Sequence, residues 1–247
     1  MHNIDLYCGP QQPTWEPTTQ LNAMPKVQSI SLPGLYSYEG FLVHGAASEH
    51  ACKDLINQIN NQALYAVGVD GYTTNTNIGS HRAMGWSVPL SRQITEVLRQ
   101  FCPSRLDQKD FVLPIEHPSP HFEFLGSTPW LRCMKYAGGG KHHPHYDAPF
   151  VNTHEQYLTL YSWVLFLNTL EGEGGRFQFV NDPQHQQLHP PQWERSDHTA
   201  MSEDILQSIE PTAGTLLVFP HWLCHQVENF VSSSHRYIIR GDVAYGY

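Results

Sequence analysis

The chain has 247 residues, 40% of them hydrophobic and 15% charged. That length can bury a sizeable core without staples, and the composition excludes a disordered tail or a membrane protein. The formal net charge of −9 argues against non-specific nucleic-acid or anionic-membrane partners, which recruit basic patches.

No apolar run approaches the roughly 20 residues of a spanning helix. The N-terminal Met1-His-Asn-Ile-Asp-Leu lacks the basic-then-apolar pattern of a secretory leader. The cysteines are Cys8, Cys52, Cys102, Cys133 and Cys224, widely spaced and without a Cys-x-x-Cys. That pattern points to a reducing, cytoplasmic compartment rather than a disulfide framework or a thiolate zinc site. Sixteen histidines are the one oddity of composition, and histidine is the commonest metal ligand.

Residues 1–33, rich in Pro, Gln, Thr and Asn, read as an irregular arm. Residues 34–120 read as helical support. After a short apolar segment, Ser48 is a candidate N-cap, and Ala51, Cys52, Leu55, Ile56 and Ile59 share one helical face. Residues 67–87 are turn-rich. A second helix follows Pro89 on Leu90, Ile94, Val97, Leu98 and Phe101, and stops at Cys102-Pro103. Residues 121–247 read as a β core, with strands expected at 121–126, 130–137, 157–168, 175–180, 214–219, 225–230 and 235–245. The polar stretch 181–203 suits a lid or binding loop. The expected fold is mainly β with flanking helices (α+β), one domain over 1–247 built on a barrel or sandwich of about eight strands.

The chemistry concentrates in Lys141-His-His-Pro-His-Tyr-Asp147. Residues two apart on a strand share a face, so His145 and Asp147 converge. His225, after Leu216-Leu-Val-Phe-Pro, is the best third ligand. Two imidazoles and a carboxylate on one face of a metal leave three positions open, which suits iron(II) binding a chelating co-substrate and dioxygen. Downstream, His235-Arg-Tyr-Ile-Ile-Arg240 offers a planar guanidinium to the far carboxylate of a keto-diacid. The bland readings make His142 and His143 loop residues, Gly138-Gly-Gly140 a turn, and Tyr157, Tyr161, Trp163 and Phe166 core. His221 and His225 have a zinc-protease spacing, but Trp222 stands where that motif needs Glu.

Five features follow in order: Met134-Lys-Tyr136-Ala-Gly138, His145-x-Asp147, Trp163-Val-Leu-Phe-Leu-Asn168, Gly174-Gly175-Arg-Phe-Gln-Phe179, and Pro211-x-x-Gly214 running to Phe219 and His225. Through them the stretch from about Leu131 to Tyr245 resembles the iron(II)/2-oxoglutarate oxygenases of the prolyl 4-hydroxylase-like superfamily. The resemblance implies a double-stranded β-helix (jelly-roll) barrel. It implies His145, Asp147 and His225 as the catalytic iron(II) ligands, with Tyr136 and Arg236 binding 2-oxoglutarate, O2 as oxidant and ascorbate as an accessory. The spacing from His225 to Arg236 is slightly longer than the family's, so Arg240, on the same strand face, is a rival anchor. Phe166 stands where some relatives place a tyrosine that touches the keto acid, which turns attention to Tyr161 or Thr159. Asp147 fills the position that related halogenases leave empty, which favours hydroxylation or desaturation.

The resulting expectation is a hydroxylase acting on an unactivated C–H of a small molecule, an amino acid or a protein side chain, with release of succinate and CO2. An open groove between the 67–87 and 181–203 loops would take a peptide, and a closed cavity a metabolite. No nucleic acid or membrane partner is expected. The alternatives are a catalytically silent iron/2-oxoglutarate sensor and a cupin-type metal enzyme that uses no keto acid.

Overall fold

The structure is a computed structural model that describes residues 20, 26–30, 40–66, 77–110, 117–170, 172, 174–181, 200–229, 231 and 233–247. In chain order, the N-terminal half holds β1 (Lys26–Ile30), β2 (Gly40–His44), α1 (Glu49–Asn60), β3 (Tyr65–Ala66), β4 (Asn77–Trp86), α2 (Val88–Leu98) and β5 (Arg105–Asp107). β6 (His121–Ser127), β7 (Trp130–His145), β8 (Val151–Asn152), β9 (Tyr157–Phe166) and β10 (Phe177–Val180) follow. The chain then forms β11 (Ile205–Ile209), β12 (Leu216–Pro220), β13 (His225–Val227) and β14 (Arg236–Gly246).

All the pairings are antiparallel, along the path β1-β2-β12-β9-β14-β7-β13-β10-β11, with β4 added on β7 and β6 on β14. The result is a curled antiparallel sheet of jelly-roll type. Its centre, β9, β14 and β12, is buried nearly end to end. Strands covered on both faces read as continuous apolar runs rather than alternating ones, as Tyr161-Ser-Trp-Val-Leu-Phe166 does.

The two helices form where the periodicity placed them. Ser48 caps α1 by accepting from Ala51 N at 3.1 Å, and Ala51, Cys52, Leu55 and Ile59 are its buried face. Ser87 caps α2 in the same way through Leu90 N, with Pro89 in the first turn. Gly214 lies against the chain entering α1. Its φ is +76°, and a Cβ there would sit 2.1 Å from the Ala47 carbonyl oxygen.

Three expectations need correction. Lys26–Ile30, placed in an irregular arm, is a strand paired with β2. Residues 77–86, placed in a turn-rich stretch, are β4, which runs along β7 in register Arg82↔Met134 and Trp86↔Trp130. The helical support thus also contributes strands, β1 to β5, and the described residues hold fourteen strands in all. Residues 67–76 and 182–199, which contain most of the two expected binding loops, lie outside the described residues, as do residues 1–19 of the arm. Among the described residues no helix is long and apolar enough to cross a membrane.

Candidate metal centre and co-substrate pocket

His145, Asp147 and His225 come together. One ligand atom from each lies within 4.8 Å of the others. His145 closes β7, and its Cα partner is His225 on β13, so sheet pairing itself brings the two imidazoles together. Their ring centroids are 4.2 Å apart. His145 Nδ1 donates to the His143 carbonyl at 2.7 Å, and His225 Nδ1 donates to the Leu223 carbonyl at 2.9 Å. A carbonyl can only accept, so both rings are held with Nε2 carrying the free lone pair. Those Nε2 atoms face Asp147, at 3.9 Å from Oδ1 for His145 and 3.8 Å from Oδ2 for His225. Phe177 stacks on the His225 ring at 5.0 Å and Phe219 meets it edge-on at 4.7 Å.

Burial lowers the affinity of both imidazoles for protons, and brings His225 down to about 3. Burial opposes charge on Asp147, but Arg240, His225, His145 and His221 outweigh it and hold the carboxyl well below the usual range. At neutral pH the cluster is therefore two neutral imidazoles and one carboxylate. That donor set fits a divalent iron with open positions.

β7 and β13 are out of step by one residue. β7 spends three steps between His142 and His145 where β13 spends two between Val227 and His225. Residues three apart on a regular strand point to opposite faces. The extra residue, next to Pro144 with no N–H to pair, brings His142 into the same pocket, stacked on His145 at 3.6 Å. The loop reading of His142 and His143 is thus corrected: both are strand residues. The Gly138–Gly140 turn likewise lies within β7, as a bulge against Gly79 on β4.

Arg236 opens β14 opposite Tyr136 on β7. Asn168 fixes its direction from both sides: the side chain donates to the His235 carbonyl and accepts from Tyr237 N, each at 2.8 Å. Arg236 is 1% exposed, and its guanidinium lies over the rings of Tyr136 and Phe166, 5.5 and 5.6 Å from their centroids. None of its three nitrogens has a hydrogen-bond partner among the described residues. Burial pulls its pKa down to about 10, so it stays charged at neutral pH. A buried cation without a partner is expensive. It lines the same pocket as the His–Asp–His cluster, and the distal carboxylate of a keto-diacid fits the vacancy in its bonding.

Arg240 also reaches this pocket but is differently engaged. Its Nη2 lies 2.8 Å from Asp147 Oδ1, 3.0 Å from Ser162 Oγ and 3.4 Å from Asp242 Oδ1. Tyr161 and Thr159 are not in the pocket wall: Tyr161 packs on Trp222 and Tyr245, and Thr159 Oγ1 accepts from Phe150 N. His221 sits on a turn, not a helix, and is 3.5 Å from Asp242, which ends the zinc-protease reading. Arg82 of β4 and Met134 line the pocket and were not singled out from sequence. The signal for Arg82 was weak, because β4 is covered on both faces around Ala83 and Met84 and shows no alternation.

Residues 131–241 match the 2OG-Fe(II) oxygenase superfamily. The matched stretch contains His145, Asp147, His225 and Arg236 and is similar to that superfamily. Oxygenases of the superfamily use iron(II), 2-oxoglutarate and dioxygen, which agrees with the donor set and the unpaired guanidinium. Among solved structures, a prolyl hydroxylase from Trichoplax adhaerens, determined with a hypoxia inducible factor oxygen degradation domain peptide, shares the fold. It is 14% identical with a TM-score of 0.52, over 83% of this chain and 82% of that one. A Pseudomonas putida prolyl-4-hydroxylase is 14% identical over 84% and 92% of the two chains, TM-score 0.49. A viral collagen prolyl hydroxylase from Paramecium Bursaria Chlorella virus-1 is 18% identical over 87% and 98%, TM-score 0.47. No curated protein matches the chain in sequence.

Proposed function

We propose that this oxygenase hydroxylates an unactivated C–H, in a small molecule, an amino acid or a protein side chain, and releases succinate and CO2. In this reading His145, Asp147 and His225 hold iron(II), Arg236 pairs the distal carboxylate of 2-oxoglutarate, and Tyr136 forms the wall beside it. The observation that carries it is the buried guanidinium of Arg236, without a hydrogen-bond partner among the described residues and in one pocket with the His–Asp–His cluster. A structural arginine would be paired within the fold; one that waits for an anion is left open.

Iron(II) and 2-oxoglutarate, when bound, supply the oxidising power, with one oxygen atom of O2 ending in succinate and the other in the hydroxylated product. The chain's own residues do the rest. The two imidazoles stay neutral, and their Nδ1–H bonds to His143 and Leu223 keep the lone pairs aimed inward. Phe177, Phe219, Val164 and Ile238 exclude water from the pocket. Arg236 fixes the keto-diacid at its far end, so its keto-acid end faces the ligand cluster. Ascorbate belongs to the proposal as an accessory reductant.

Succinate formation from 2-oxoglutarate, with iron(II), ascorbate and oxygen, tests the assignment together with direct binding of 2-oxoglutarate. His145→Ala and His225→Ala are expected to abolish succinate. Arg236→Ala is expected to raise the 2-oxoglutarate needed by about 10- to 100-fold, the worth of a charge-assisted hydrogen bond in a dry site. A wild type that neither forms succinate nor binds 2-oxoglutarate would leave a metal-binding barrel of another kind.

A further inference from the structure

We propose that Arg240 is a positioning residue that restricts Asp147 to metal ligation through a single oxygen, and so keeps open the positions that the keto acid and dioxygen require. The inference rests on the oxygenase reading above. Its starting point is that the two oxygens of Asp147 are held by different donors. Arg240 Nη2 lies 2.8 Å from Oδ1, and Ser162 Oγ donates to Oδ2 at 2.5 Å. The donors are joined to each other, since Arg240 Nη2 donates to Ser162 Oγ at 3.0 Å. This closed triangle fixes the plane of the carboxylate.

The two contacts differ in charge. Oδ1 faces a full cation and Oδ2 a neutral hydroxyl. A divalent metal shared between both oxygens would be driven against the guanidinium in a buried site, where like charges repel strongly. Ligation through Oδ2 alone relieves that repulsion. Arg240 cannot simply withdraw, because Asp242 holds it from behind, with Oδ1 at 3.4 Å. Asp242 is fixed in turn by Arg132 Nη1 at 2.9 Å from its Oδ2. Register supports the arrangement: on β14 and β9, Arg240 pairs with Val164 and Asp242 with Ser162, so the triangle is built on the sheet itself.

Coordination arithmetic gives the arrangement a purpose. Two imidazoles and one oxygen fill three of six positions around iron(II), and a chelating keto acid with dioxygen needs the other three. A second Asp147 oxygen would take one of those. Arg240 is thus not the anchor of the distal carboxylate; it acts on the metal site through Asp147.

The test uses the full chain loaded with Mn(II), titrated with two keto acids. Pyruvate has the chelating end of 2-oxoglutarate but no distal carboxylate. Arg240→Met, of similar length but neutral, is expected to bind Mn(II) about tenfold more tightly, because a repelling charge is gone and a second oxygen is released. It is expected to lose affinity for 2-oxoglutarate and for pyruvate by a common factor. Arg240→Lys, which restores a cation, should return all three affinities toward wild type. Arg236→Met should weaken 2-oxoglutarate and leave pyruvate and Mn(II) unchanged. Mn(II) affinity that is unchanged or weaker in Arg240→Met overturns the proposal, as a merely structural role predicts. A loss confined to 2-oxoglutarate also overturns it and makes Arg240 a co-substrate anchor. If Arg240→Met does not fold, Arg240→Gln, which can still reach Asp242 with a neutral amide, carries the same comparison. A wild type that binds neither Mn(II) nor 2-oxoglutarate overturns the oxygenase reading instead, so the two failures are told apart.

Discussion

Asp242 is a carboxylate buried behind the ligand cluster. Burial opposes its charge, but Arg132, Arg240 and His221 outweigh that cost and hold the carboxyl well below the usual range. A carboxyl depressed in the folded state stabilises the fold above its unfolded pKa of about 3.9, and that contribution is lost as pH falls through the folded value. Asp242→Asn is therefore expected to lower stability at pH 7 by roughly 1–3 kcal/mol, less than for a fully buried pair because Arg132 and Arg240 keep some solvent contact. The gap to wild type should narrow below pH about 4. Urea unfolding at pH 3 and pH 7 measures it, and an equal gap at both would assign the loss to shape rather than charge. At this scale the cluster was legible: His145 and Asp147 were expected side by side at a strand end and His225 after an apolar strand, and the three do come together, with Asp147 just past the end of β7. The choice between Arg236 and Arg240 was not, because residues four apart share a strand face. What separates them is burial and partners, which sequence does not carry.

The elements were legible in proportion to their periodicity. α1 and α2 each bury one clear stripe, and Ser48 is the cap that the sequence marked. Ser48→Ala is expected to cost about 1 kcal/mol in chemical denaturation, with Mn(II) affinity unchanged because the cap lies away from the pocket. A change in metal affinity would mean that α1 bears on the site. The resemblance also pointed to Asn168, and the structure shows why a strand should end there: its amide holds both neighbours of Arg236. β4 was hidden for the opposite reason. Gly79 and Gly85 lower its strand propensity, and burial on both faces around Ala83 and Met84 leaves no alternation to find. With it went Arg82, which lines the pocket wall.

On the scale of the molecule, the β core and the two helices were predicted in the right order, while the strands of the N-terminal half were missed, since short edge strands such as β3 and β5 carry too few residues for a pattern. The core also decides the thiol chemistry. Cys52, Cys102 and Cys133 are buried and outside any disulfide among the described residues. Burial pushes Cys52 up to about 11 and Cys102 up to about 12, and Cys133 higher than its ordinary value by a wide margin. Since thiolate is the reactive form, these three should resist iodoacetamide at pH 8 in the native protein and react together in denaturant. Mass spectrometry after graded urea exposure checks this; early labelling of Cys52 alone would show α1 opening before the sheet. The extra residue of β7 beside Pro144 bears on inheritance. An in-frame loss of one codon there would restore strict alternation and swing His145 to the far face, away from His225. Every residue of the candidate cluster would still be written in the gene, in order, and the cluster itself would be gone.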